Sequence, residues 1–229
     1  MTTKDRFRNP SFPHAYSLWN FKLSFIWYNN PKCCSSTIKS LIEFDRGQWS
    51  KTKHWDVRQT YGYKSFGFVR NPYNRLFSAY RMLKISKTSF IDDNNIKQFP
   101  SENFDQFINQ IYEGNYWNDH LEPQINFLPI TLKNVRQLEF IGKTENFVDD
   151  WMRMQEFLDH KFVDHKDQIP NLQPKYLSNI LKLKTNESVY NSLKKRMCTE
   201  TVQKIQALYK EDFINFGYEL NDFAGFEIT

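Results

Sequence analysis

Three short apolar runs punctuate the chain, and each leads through a polar turn into apolar residues at helical spacing. The first run, Leu23 to Tyr28, is long enough for one buried strand, and Asn29, Asn30 and Pro31 end it. After the loop Lys32-Cys33-Cys34-Ser35-Ser36-Thr37, the residues Ile38, Leu41 and Ile42 fall on one helical face. The second run is Ser65 to Val69, with Arg70 at its end. Asn71 then suits a helix N-cap and Pro72 the first helical position, and Leu76, Phe77 and Tyr80 form the buried stripe. The third run, Leu138 to Ile141, closes on Gly142-Lys143. Thr144 is expected to cap a helix whose inward residues are Phe147, Val148, Trp151, Met154 and Leu158.

Residues 1–22 read as an irregular N-terminal arm, because Pro10 and Pro13 oppose helix. Residues 45–63 are polar and read as a loop leading into a short helix. An Asn/Asp-rich excursion follows the second helix over residues 84–102. Phe104, Phe107, Ile108, Ile111 and Tyr112 predict an amphipathic helix with Gly114 past its end. Residues 115–134 read as loop with a short helix, and residues 159–198 as basic and irregular. Thr199 is expected to cap a last helix through Val202, Ile205, Leu208 and Tyr209. Strands alternating with helices predict an α/β fold with a central, mostly parallel sheet flanked by helices on both faces.

Length and composition agree with one domain spanning all 229 residues, and 21 Phe and 12 Tyr supply bulk for its core. No apolar run is long enough to cross a membrane. The N-terminus is polar and charged, which predicts a cytoplasmic protein without a signal peptide. Cys33, Cys34 and Cys198 are too few for a disulfide framework and lack the partners of a zinc site, so no metal is expected. The formal net charge of +5 suits a polyanionic ligand and equally suits weak nucleic-acid binding.

The candidate chemistry lies at two strand ends. Free N–H groups at a helix start and the helix dipole favour an anion in the first loop, where Lys32 adds a full charge and Ser35, Ser36 and Thr37 add hydroxyls. The loop is not a Walker A sequence, since it contains no glycine. At the second strand end stands Arg70, with Ser78 further along the helix and Arg75 between them. Ligands of open α/β sheets bind beyond the carboxyl ends of the strands.

Together these two loops resemble the donor site of sulfotransferases, and are most similar to the family of Golgi carbohydrate sulfotransferases and their bacterial relatives. Pro31-Lys32-Cys33-Cys34-Ser35-Ser36-Thr37-Ile38 resembles the family loop that holds the 5′-phosphosulfate of 3′-phosphoadenosine-5′-phosphosulfate. The segment from Phe68 to Tyr80 (FVRNPYNRLFSAY) is similar to the family segment that holds the 3′-phosphate. His120 to Gln124, Phe140 to Phe147 and Tyr209 to Tyr218 resemble three further family segments in the right order. Two positions depart: Ser36 stands where Thr is usual, and Cys34 where Gly or another small residue is usual.

The resemblance implies a P-loop-NTPase-like three-layer sandwich and an enzyme that passes a sulfuryl group to a hydroxyl acceptor, here a carbohydrate, without a metal or a nucleic-acid partner. Lys32, Cys33, Cys34, Ser35, Ser36, Thr37, Arg70, Arg75 and Ser78 would bind the donor, with Lys195 and Arg196 closing over the nucleotide. Lys32 would also stabilise the leaving phosphate. The base would be His54 or, as rival, His120, with Glu122 behind them. Residues 84–134 would face the acceptor, with Trp55, Tyr116 and Trp117 as contacts. Two rival readings are a kinase-like nucleotide-dependent phosphotransferase and a non-catalytic module that binds anions or nucleic acid.

Overall fold

The computed structural model describes residues 17–42, 49–52, 62–86, 90–92, 95–97, 103–115, 117–129, 138–162 and 195–229. In chain order, β1 is Ser17–Asn20, β2 Phe25–Tyr28, α1 Ser35–Ile42, β3 Trp49–Thr52, β4 Lys64–Val69 and α2 Pro72–Ser86. There follow β5 Phe90–Asp92, β6 Asn95–Lys97, α3 Phe104–Tyr112, β7 Phe140–Lys143 and α4 Phe147–Leu158. The chain closes with β8 Arg196–Met197, α5 Thr199–Leu208, α6 Lys210–Phe216 and β9 Glu227–Ile228. These elements fall into two compact units. A sheet unit is drawn from Ala15–Val69 and Pro129–Lys194, and a helical unit from Arg70–Leu128 and Lys195–Thr229.

The sheet unit carries five strands in the order β3-β1-β2-β4-β7. β2 pairs parallel with β4, and β4 with β7, while β1 is antiparallel to both β2 and β3. β1 alone therefore runs against the other four, and the α/β class with a mostly parallel sheet is the observed one. Every residue of β2 is buried, as a strand covered on both faces requires. On one face Phe25, Trp27, Phe66 and Phe68 pack with Ile38 and Ile42 of α1 and with Trp151, Met154 and Leu158 of α4. The ring of Phe68 lies 5.2 Å from Phe147 and 6.3 Å from Trp151. Gly142 leaves room for that ring: a Cβ there would come within 2.7 Å of Phe68 Cδ1 and closer still to Cε1.

The helical unit is built on rings. Phe77 and Tyr80 of α2 meet Phe104 and Phe107 of α3, and Phe226 joins them, with centroids 5.2 to 6.2 Å apart. Asn103 caps α3 by accepting from the Gln106 N–H at 3.0 Å. Asp105 accepts from the Cys198 N–H at 3.0 Å and from the Thr201 hydroxyl at 2.5 Å, which ties α3 to the start of α5.

Several sequence expectations are corrected. Ser17–Asn20 is a strand and not part of an irregular arm: Asn20 Oδ1 accepts from the Leu23 N–H, and Ser24 takes the left-handed backbone that turns the chain into β2. The polar stretch expected as loop contains the edge strand β3, whose partner β1 supplies the pairing that its composition does not advertise. Part of the excursion after α2 pairs as the β5–β6 hairpin. Thr144 opens a 3₁₀ turn rather than capping α4, and Asp150 accepts from the Lys143 N–H at 2.7 Å. Thr199 is the first residue of α5, with Cys198 at the cap position. Among the described residues no helix is long and apolar enough to cross a membrane.

Candidate active site

In the sheet unit, Asn30 organises the loop after β2. Its Nδ2 donates to the Phe68 carbonyl on β4 at 3.0 Å. Its own carbonyl accepts from the Cys33 N–H at 3.2 Å and from Ser35 Oγ at 2.9 Å. One buried asparagine thereby fixes the end of β2, the bend and the start of α1. Lys32 and Cys34 both take left-handed backbone, with φ of 68° and 58°. Left-handed residues alternating with others turn successive N–H groups inward, the concave arrangement that cradles anions. The backbone at Cys34 also explains why glycine suits that position. Cys33 points the other way, into the apolar core, and Thr37 is buried. Ser36 is exposed and Lys32 half-buried. All three cysteines are free.

In the helical unit, Arg70 precedes α2. Asn71 accepts from the Tyr73 N–H at 3.0 Å, as its cap role requires, and also donates to the Asp222 carbonyl at 3.1 Å. The half-exposed stripe of α2 is Asn74, Ser78 and Arg81, three and four positions apart, while Tyr73, Leu76, Phe77 and Tyr80 are buried. Lys195 lies against this stripe. Its Nζ donates to Asn74 Oδ1 at 2.7 Å and to the Ala224 carbonyl at 2.9 Å, above the Phe226 ring. Burial lowers its pKa, and the charges of Arg70 and Arg81 lower it further. No carboxylate among the described residues pairs with Lys195. The nearby Asp222 instead accepts from Asn71 Nδ2 and the Ala224 N–H. Like charges close enough to act on one another favour an anion placed near them.

Arg75 does not join this face. It is 1% exposed, donates from Nη1 to the Glu122 carbonyl at 2.7 Å and lies over the Phe127 ring. Its charge serves the buried carboxylate of Asp212, whose pKa burial raises and Arg75 lowers. Arg196 is exposed and pairs with Glu227 at 2.7 Å. His120 is half-buried, and its N–H donates to Asn118 Oδ1 at 2.8 Å. Glu122 is buried and bonded to Asn126, and Trp117 is half-buried. His54, Trp55 and Tyr116 lie outside the described residues, as do the lysines of residues 163–194.

Sequence reasoning missed Arg81 and Asn30. Arg81 carries a spacing signal, three positions beyond Ser78, but a cation on a helix face means little until Lys195 lands beside it. Asn30 carries none, because its partner is 38 residues away. Among the described residues no group of three His, Cys, Asp or Glu side chains is placed to hold a metal ion.

A mostly parallel sheet with helices packed on it frames the sheet unit. The sulfotransferase family model matches residues 17–219, and the chain belongs to that family. None of the curated proteins and none of the solved structures matches the chain. Family membership makes it a transferase of sulfuryl groups, with a small-molecule donor and a hydroxyl acceptor.

Proposed function

We propose that the donor is 3′-phosphoadenosine-5′-phosphosulfate, that the acceptor is a carbohydrate hydroxyl, and that a histidine is the base. The observation that supports the donor reading is Lys195 bonded to Asn74 on the same α2 stripe as Ser78 and Arg81, close enough to Arg70 and Arg81 for their charges to act on it. The bound donor supplies the sulfuryl group and a leaving phosphate. The cation cluster binds the 3′-phosphate through Arg70 and Ser78, with Arg in its usual planar grip. The Lys32–Thr37 loop binds the 5′ end, and Lys32 with the loop N–H groups holds charge on the leaving phosphate. His54 takes the acceptor proton, with His120 as the rival, and residues 84–134 with Trp55, Tyr116 and Trp117 supply acceptor contacts. Arg75 supports the helical unit and does not touch the donor. The P-loop-NTPase-like sandwich belongs to the same proposal.

The test is calorimetric binding of 3′-phosphoadenosine-5′-phosphate against ATP and AMP, followed by transfer from the labelled donor to a panel of glycans. Tight binding of the bisphosphate, lost in Arg70→Ala, and turnover lost in His54→Ala with binding intact are the expected results. Equal binding of ATP would overturn the donor assignment. Full activity of His54→Ala would pass the base to His120.

A further inference from the structure

Gln124 is fully buried, and its side-chain amide meets the backbone of Arg70. Gln124 Oε1 accepts from the Arg70 N–H at 2.8 Å, and Gln124 Nε2 donates to the Arg70 carbonyl at 2.8 Å. A primary amide offers a donor and an acceptor side by side, and here it matches the N–H and C=O of a single residue as a neighbouring strand would.

Gln124 is itself held from behind. Its backbone N–H and that of Ile125 donate to the two oxygens of Asp212 at 2.8 and 3.0 Å. The Tyr209 hydroxyl donates to the Leu121 carbonyl at 2.6 Å, and Arg75 donates to the Glu122 carbonyl at 2.7 Å. The 121–125 segment is thus anchored by three side chains, Arg75 from α2, Asp212 from α6 and Tyr209 from the junction of α5 and α6. Such investment in one buried segment fixes the backbone of Arg70, and with it the root of the guanidinium that acts on Lys195.

We infer that Gln124 is a positioning residue for the 3′-phosphate site, acting through the backbone of Arg70; this rests on the donor reading above. Removing the amide frees the Arg70 backbone to turn while Lys195, Arg81 and Ser78 keep their places. Affinity then falls for ligands that carry a 3′-phosphate and holds for those that do not.

The experiment titrates 3′-phosphoadenosine-5′-phosphate and adenosine 5′-monophosphate into the wild-type protein and Gln124→Met, with melting temperatures for both. The expected result is a loss of about tenfold or more for the bisphosphate in the variant, with monophosphate affinity unchanged. Should Gln124→Met fail to fold, Gln124→Glu, which keeps an oxygen for the Arg70 N–H and loses the donor, is read in the same way. A folded variant that keeps wild-type discrimination, or loses affinity for both ligands alike, overturns the inference and leaves the donor assignment standing. A wild-type protein that ignores the 3′-phosphate overturns both.

Discussion

Lys195 Nζ lies 2.7 Å from Asn74 Oδ1, which pins a half-buried ammonium within the field of Arg70 and Arg81. Its pKa is lowered by burial first and by Arg70 and Arg81 after that. The folded protein therefore holds this proton less tightly than the unfolded chain. Stability from this group rises with pH, from the lowered folded pKa up to the ordinary value of 10.5. A bound phosphate favours the charged form, so binding takes up a proton wherever the free site has begun to lose it. Bisphosphate affinity is expected to fall as pH climbs through that window, and Lys195→Met is expected to remove this fall. Calorimetry across that range checks both; a pH-independent wild type refutes the linkage.

Arg81 stands among the same cations but was not marked by the sequence motif. Arg81→Ala is expected to weaken bisphosphate binding by about tenfold, the scale of one charge-assisted hydrogen bond. It also removes a like charge from Lys195, so the pH window of the preceding prediction moves upward. An unaltered window, read in the same titrations, would place Arg81 outside the cluster.

Asn30→Asp replaces the donor facing the Phe68 carbonyl with an oxygen. The buried carbonyl loses its partner and meets a carboxylate, a change costing about 2 to 3 kcal/mol. Denaturant unfolding measures the loss. Because Asn30 also shapes the bend at Cys33 and Ser35, binding to the loop should weaken with it.

Arg75→Met leaves Asp212 buried without its cation. Removing one partner of a buried charge pair costs about 3 to 5 kcal/mol. Melting temperature should drop sharply, while the folded fraction keeps its preference for the bisphosphate. A stable variant that lost that preference would return Arg75 to the donor site.

The parts legible in the sequence are those written in neighbouring residues. Asn71-Pro72 starts α2 through contacts a few positions long, so composition and spacing reveal it. The strands β2 and β4 announce themselves as apolar runs. β1 and β3 do not, because β1 buries Ser17 and Asn20 as well as Trp19, and β3 takes its place from pairing alone. The two segments that resemble the family's motifs were readable as strings. What holds them was not: Gln124 reaches Arg70 across 54 residues and Asp212 reaches Gln124 across 88. Arg75 shows the converse, a motif arginine whose burial no local pattern foretells.

The bond from Asn30 to the Phe68 carbonyl also sets an order of events. It cannot form until β2 and β4 lie side by side, with Tyr28 opposite Gly67. The loop is therefore tied to β4 only once the two strands have paired. A ligand of that loop meets only chains that have already paired these strands, and a contact made after the transition state slows unfolding without hastening refolding. A ligand of that loop would be a latch on a finished sheet, not a template for building one.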